Sequence, residues 1–270
     1  MLELEFAQLS DPGLVRGHNE DFLGHVASHT PEQARSHGWL FAVADGVGGQ
    51  DLGEVASRTA VECMLEGFAR AAPGEPHSAV LSRLVQAANN RVYETGRSTG
   101  PGGVAMATTI VACALRFDRA TVAHVGDSRC YLIRRGSANL LTRDHTVVND
   151  QVRIGVMSAK EAAESERRHV LSRSLGTDLF VNVDTSEHQI LPGDVLLLCS
   201  DGLHGALPAA ELASVLDHNV AHNPDLNAAA QCLVELANQR DGGDNVTVQL
   251  IRIKNVERIG MYRGRPYKLR

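Results

Sequence analysis

Nowhere does this sequence bring two cysteines into CxxC spacing. The five, Cys63, Cys113, Cys130, Cys199 and Cys232, lie far apart in apolar segments. That excludes a disulfide scaffold or a thiolate zinc site and reads as reduced core thiols of a cytoplasmic protein. No apolar run approaches the ~20 residues of a membrane span, and the start, Met1-Leu2-Glu3-Leu4-Glu5-Phe6, lacks the basic and apolar regions of a signal peptide. A basic surplus is missing too. Lys and Arg number 26 against 32 Asp and Glu, a net charge of −6, which leaves no electrostatic footprint for nucleic acid. Absent as well are GxxxxGKS/T and HExxH, and Gly46, Gly48 and Gly49 miss GxGxxG because Asp51 stands in the third place. Nucleotide-phosphate loops, zinc proteases and dinucleotide folds are thereby excluded.

What is present is a repeated design that ends buried strands in aspartate. Trp39-Leu40-Phe41-Ala42-Val43-Ala44 runs into Asp45-Gly46, Val195-Leu196-Leu197-Leu198-Cys199-Ser200 into Asp201-Gly202, and Ala123-His124-Val125-Gly126 into Asp127. A fourth carboxylate, Asp244, comes before an apolar strand, in Asp241-Gly242-Gly243-Asp244-Asn245-Val246-Thr247-Val248. One Asp-Gly is ordinarily a turn. Four carboxylates at strand ends point to one cleft.

Along the chain, Leu2, Leu4 and Phe6 alternate with Glu3 and Glu5 as in a half-buried strand. Ser10-Asp11-Pro12-Gly13 breaks it, and a second strand is expected from Phe22 to Ala27, followed by a loop from Thr30 to Gly38. Apolar spacing predicts helices over 53–72 and 78–95. Short strands follow over 106–117, 121–125, 130–134 and 139–141. Residues 146–175 form an excursion with short helices near 147–151 and 158–164. Strands return over 180–183 and 195–199. Helices are then expected over 208–216 and 224–238, the latter with Asn223 as N-cap and Pro224 at its first position, and a last strand over 246–253. Strand runs interleaved with helix pairs predict antiparallel sheets with helices outside. Without repeats or a linker, the chain reads as one domain, residues 1–253, with a solvated basic tail over 254–270.

Clustered carboxylates without soft ligands favour Mn²⁺ or Mg²⁺. Two such ions activate water for phosphoryl displacement, and Arg16 offers a planar cation for phosphate oxygens. In this light Arg16-Gly17-His18-Asn19-Glu20-Asp21, Ala44-Asp45-Gly46-Val47-Gly48-Gly49, Ala107-Thr108-Thr109, Val125-Gly126-Asp127-Ser128-Arg129, Cys199-Ser200-Asp201-Gly202-Leu203 and Gly243-Asp244-Asn245-Val246-Thr247, in this order, resemble the metal-dependent protein phosphatases (PPM, type 2C), in their bacterial branch.

The resemblance implies an α+β, four-layer α-β-β-α sandwich of two antiparallel sheets flanked by antiparallel helix pairs. It also implies hydrolysis of phosphoserine and phosphothreonine in proteins, opposing a bacterial serine/threonine kinase. It makes Asp45 the carboxylate bridging two metals, the Gly46 carbonyl a ligand of one, and Asp201 and Asp244 ligands of the other. Glu20 and Asp21 act through metal-bound waters, Asn245 orients Asp244, and Arg16 holds the phosphate. Asp127 with Asp201 matches a weaker third metal site, and 146–175 matches a mobile flap beside the cleft. Asp144-His145 fits the pattern, His145 in a structural role. The sequence departs from the family where a histidine often stands, holding Val47 and Gln50 instead, so that the leaving group's proton comes from metal-bound water, from another side chain such as His18, or not at all. A monomer is expected. The competing reading is a catalytically weak phosphoprotein-binding regulatory module.

Overall fold

In the computed structural model of the chain, residues 1–47, 52–222, 225–262 and 265–268 are described, without side chains over 218–222, 259–262 and 265–268. The elements follow as β1 (Glu3–Asp11), β2 (Asp21–Val26), α1 (Pro31–Ser36), β3 (Trp39–Asp45), α2 (Gly53–Ala69), α3 (His77–Ser98), β4 (Ile110–Arg116), β5 (Arg119–Val125), β6 (Arg129–Arg134), β7 (Ser137–Leu140), α4 (Val147–Arg153) and α5 (Ala159–Glu164). The second half continues with β8 (Asp184–Gln189), β9 (Val195–Cys199), α6 (Asp201–Ala206), α7 (Ala209–His222), α8 (Leu226–Arg240), β10 (Val246–Asn255), β11 (Ile259–Tyr262) and β12 (Arg265–Lys268).

Two five-stranded sheets, β1-β10-β9-β6-β7 and β2-β3-β4-β5-β8, are antiparallel throughout. Their central strands are continuous apolar runs because both faces are covered. On β3, Leu40, Ala42 and Ala44 pack under α2 and α3, while Phe41 and Val43 join the layer between the sheets. On β9, Val195, Leu197 and Cys199 face α6, α7 and α8, and Leu196 and Leu198 face inward. The period of two thus sorts one strand's residues into two cores. The result is the expected α+β sandwich, helices on sheet on sheet on helices.

Several elements differ from the sequence expectation, each for a physical reason. The strand expected over 180–183 is displaced to β8, whose polar Asp-Thr-Ser-Glu-His-Gln run alternates half-buried and exposed positions. β8 is an edge strand held by backbone pairing to β5, so apolar content does not mark it. The segment read as a loop after Thr30 folds into α1, with Thr30 capping Gln33 N–H and Pro31 in the first turn. The cap of α8 is Asp225, which accepts from Asn227 N–H; Asn223 and Pro224 lie outside the described residues. After β10, which ends at Asn255, the basic tail contains the β11–β12 hairpin rather than an elementless segment. The tail's lead-in is tied down by Glu257, which is buried and bonds to Arg35 through both carboxyl oxygens, at 3.0 and 3.4 Å.

Candidate active site

The two sheets bring their strand ends to one edge. Because β2 and β3 are antiparallel, the first residue of β2 faces the last of β3, and Asp21 pairs in register with Asp45. In the other sheet Cys199 pairs with Val248, so Asp201 just beyond β9 and Asp244 just before β10 reach the same edge. Asp127 follows β5. Arg16, Glu20, Asp45, Gly46, Asp127, Asp201 and Asp244 all line a single cleft of about 460 Å³. Asp21 and Asn245 stand behind its wall.

Backbone contacts hold these side chains in place. The Asp45 N–H donates to Thr109 Oγ1 at 3.0 Å, and its carbonyl accepts from the Thr109 N–H at 2.8 Å and the Thr108 hydroxyl at 2.7 Å. Gly46 donates its N–H to the Glu20 carbonyl at 3.1 Å, and that carbonyl also takes the Ser57 hydroxyl at 2.6 Å. Asn245 Oδ1 accepts the Glu20 N–H at 2.8 Å while its Nδ2 donates to the carbonyls of Pro12 and His18. Its side chain therefore positions the 12–20 loop; it is the Asn245 backbone N–H that reaches Asp244 Oδ1, at 2.9 Å.

Gly46 has no space for a side chain. A Cβ there would lie 2.3 Å from the Gly53 carbonyl oxygen and 2.8 Å from that of Glu20, both backbone atoms. Gly46→Ala is therefore expected to push β3 away from α2, cost roughly 1–3 kcal/mol as overpacking does, and displace the Gly46 carbonyl from the cleft. Thermal melts in chelator, with Mn²⁺ titration, check both; wild-type values would show that the Gly46–Gly53 contact is slack.

Electrostatically the cluster is a cage of unneutralised oxygens. Burial pushes Asp45 well above the usual carboxylate range, helped by the charges of Asp21, Asp201 and Asp127. Asp21 rises to about 7, first by burial, and Asp127 to about 8, by burial and then by Asp201. Burial also pushes Asp201 up, but hydrogen bonding from His169, the charges of His204 and His169, and a hydrogen bond with Asp45 hold it below its ordinary value. Buried Asp21 Oδ1 has no hydrogen-bond partner among the described residues. These residues fit divalent cations: a dication answers the crowding, and carboxylate and carbonyl oxygens are the donors Mn²⁺ and Mg²⁺ prefer.

Arg16, exposed, rests on Asp244 with Nη2 3.0 Å from Oδ2. His18 is exposed and presents its carbonyl to Asn245. Val47 lines the cleft as expected, whereas Gln50 lies outside the described residues. An imidazole does enter the cleft from the flap: His169, which no motif had marked, is 53% exposed and holds Nδ1 3.5 Å from Asp201 Oδ2. Thr108, Thr109, Ser57 and Ser200 were likewise unassigned. All but Ser57 lay inside the Ala107-Thr108-Thr109 and Cys199-Ser200-Asp201-Gly202-Leu203 motifs.

A second group of possible ligands, His124, His145 and Asp184, lies within 4.8 Å. Here the cation is already supplied by the protein. Arg143 and Arg173 each bond one Asp184 oxygen, at 3.1 and 3.0 Å, and His145 stacks on His124 at 4.7 Å. The cluster anchors the flap's base, where Ser172 N–H donates to the His145 carbonyl.

Fold and site together define a metal-dependent phosphohydrolase. Residues 19–239 match the family described as Protein phosphatase 2C. Over 261 residues the chain is 34% identical to the serine/threonine phosphatase stp of Listeria innocua, covering 95% of this chain and 96% of that one. The S. agalactiae serine/threonine phosphatase structure aligns with a TM-score of 0.81 at 33% identity, over 93% of this chain and 100% of that one. The catalytic domain of the phosphatase PstP, solved with 2 manganese ions, aligns with a TM-score of 0.78 at 31% identity, over 94% of this chain and 100% of that one. The chain belongs to the protein phosphatase 2C family, the metal-dependent protein phosphatases.

Proposed function

We propose that this chain acts as a monomer in the cytoplasm, removing phosphate placed by a bacterial serine/threonine kinase. It is a metal-dependent serine/threonine protein phosphatase, and phosphoproteins are its substrates. The observation that carries the reading is the convergence of Asp45, Asp127, Asp201 and Asp244 with Arg16 in one cleft. Among the described residues no helix is long and apolar enough to cross a membrane, and the four buried cysteines are free thiols, as is the half-buried Cys232, which fits a reducing compartment. Residues 1–253 form the phosphatase unit with a flap over 146–175, and 254–270 a basic extension.

Bound in the cleft, two Mn²⁺ or Mg²⁺ ions supply Lewis-acid activation of water and neutralise phosphoryl charge. Asp45 and the Gly46 carbonyl would hold one ion, and Asp45 with Asp201 and Asp244 would hold the other. Glu20 and Asp21 act one layer further out. Asn245 keeps Asp244 aimed through its backbone N–H and keeps Arg16 in reach by holding the 12–20 loop. Arg16 turns from Asp244 to the phosphate. Phosphate release from phosphothreonine peptides with Mn²⁺, repeated in chelator, tests the assignment: full activity in chelator overturns it.

Arg16→Lys is expected to lower kcat/KM on a phosphopeptide roughly 10-fold or more, since the ammonium cannot make the planar, paired contact and a charged hydrogen bond is worth about 1.5–3 kcal/mol. Unchanged kinetics would place Arg16 outside the reaction. Asp127→Ala is expected to lower turnover while the protein still binds two Mn²⁺, because Asp127 would serve, with Asp201, the weaker third ion, and its removal leaves Asp45 and Asp244 in place. Metal content by mass spectrometry checks this, and loss of all bound metal contradicts it.

A further inference from the structure

Behind the cleft wall lies a buried polar circuit that the family motifs leave unexplained. Ser10 on β1 pairs in register with Thr247 on β10, and their hydroxyls meet at 2.6 Å. Asn19 Nδ2 donates to Ser10 Oγ at 2.8 Å, and Asn19 Oδ1 accepts the Asp21 N–H at 3.1 Å, which settles the orientation of that amide. The Ser10–Thr247 hydroxyl pair thus ties Asn19, and through Asn19 Oδ1 the Asp21 backbone N–H, to β10. A second arm arrives from β9. Ser200 Oγ accepts the Thr247 N–H at 3.0 Å, so its single proton points at Asp21 Oδ2, 2.7 Å away.

The first arm therefore ends on the Asp21 backbone N–H and the second on its carboxyl, and Thr247 belongs to both, through its hydroxyl to Ser10 and its N–H to Ser200. Ser200 and Thr247 are fully buried and Asp21 is 6% exposed, so water does not substitute for either hydroxyl. The circuit crosses between the sheets, with Ser10 and Thr247 on one, Ser200 just beyond β9 of that same sheet, and Asp21 on the other, and Asp21 Oδ1 is left without a partner among the described residues. Its neighbour in register is Asp45.

We propose that Ser200, Thr247 and Ser10 are positioning residues that hold Asp21 as a hydrogen-bond acceptor and so set the affinity of the Asp45 cluster for its divalent ions. The inference rests on the metal reading above. A carboxylate behind a metal site acts through its orientation, and removing such outer partners characteristically costs 10–100-fold in metal affinity. The hydroxyl, and not the bulk, of Thr247 is what matters.

The test is calorimetric titration of the full chain, freed of metal, with MnCl₂. Thr247→Val keeps the shape and removes the hydroxyl; Thr247→Ser keeps the hydroxyl and removes a methyl group from the core; Ser200→Ala removes the second arm. Expected is Mn²⁺ binding weakened roughly 10–100-fold in Thr247→Val and in Ser200→Ala, with Thr247→Ser near wild type. Denaturant midpoints in chelator separate this from a purely structural role, since Thr247→Ser, lacking core volume, should lose fold stability yet keep metal affinity. Affinity that follows fold stability instead, or equal affinity in Thr247→Val and wild type, overturns the inference while leaving the metal reading intact. Wild type that takes up no Mn²⁺ overturns both.

Discussion

Asp45→Asn is expected to abolish Mn²⁺ uptake and lower phosphatase turnover by ~10³-fold or more, about 4 kcal/mol in the barrier, without harming the fold. The argument begins with what Asp45 costs the protein when no cation is bound. Its carboxyl is buried, shares an edge with Asp21, Asp127 and Asp201, and is driven well above the ordinary carboxylate range, first by burial and then by those charges. In chelator it therefore keeps its proton to higher pH than an ordinary aspartate does. An asparagine amide reproduces that state in shape and charge, and the backbone contacts to Thr108 and Thr109 do not involve the side chain. The chelated variant should denature at the wild-type midpoint or above it. What it cannot do is present an anionic oxygen to each of two cations. Mn²⁺ at 100 times its Kd stabilises a protein by about 2.7 kcal/mol, and that gain should vanish. Paired melts with and without Mn²⁺, beside a turnover assay, decide it. A variant that still gains stability from Mn²⁺ and still turns over would falsify the bridging role.

The cleft carboxylates Asp45, Asp127 and Asp201 were legible because each sits where an apolar run stops. Asp45, Asp201 and Asp127 follow runs too apolar to be surface strands, and in a four-layer sandwich such runs must be central strands whose ends meet. Arg16 and Asp244 were legible from motif order, but not their contact, which depends on how the 12–20 loop folds back. The loop does so because Asn245 collects three of its backbone groups, Glu20 N–H and the Pro12 and His18 carbonyls. Those pairs are more than 220 residues apart in sequence, and local pattern carries no information at that range. His169 was hidden for a related reason: its place over Asp201 is set by the flap's anchoring at His145 and Asp184, not by its own neighbours. Ser200 and Thr247 stood inside quoted motifs, yet a hydroxyl beside a cleft carboxylate reads as a turn or strand residue until its hydrogen-bond partners are known. β8 went unread because an edge strand needs only backbone partners.

The chelated protein should lose stability as pH rises from about 6.5 to about 8, and Mn²⁺ should reverse the trend. A carboxyl whose folded pKa is raised binds its proton more tightly folded than unfolded. Its contribution is therefore complete below the unfolded value near 4 and is lost as pH climbs to the folded value, about 7 for Asp21 and about 8 for Asp127. Histidines work against this in the acid range. Burial first, and then neighbouring cations, lower His77, His145 and His204 to about 4, so their neutral forms stabilise the fold fully above 6.5 and progressively less toward 4. Between about 4 and 6.5 the two groups oppose each other, and the profile should be shallow. Above 6.5 these three histidines no longer change, while His169, held above its ordinary value first by its hydrogen bond with Asp201, loses its proton there and adds to the decline set by the carboxyls. From 6.5 to 7 for Asp21 and from 6.5 to 8 for Asp127, at about 1.4 kcal/mol per unit, the loss is roughly 3 kcal/mol, or on the order of 10 °C in Tm for a chain of this size. Mn²⁺ competes with those same protons, binding more tightly as pH rises, so the metal-loaded protein should hold or gain stability over the same interval. Melting curves at half-unit pH steps in EDTA and in Mn²⁺ should diverge above pH 6.5. Parallel curves would mean that the buried aspartates are neutralised by the protein itself, and that the cluster is not built to wait for a cation.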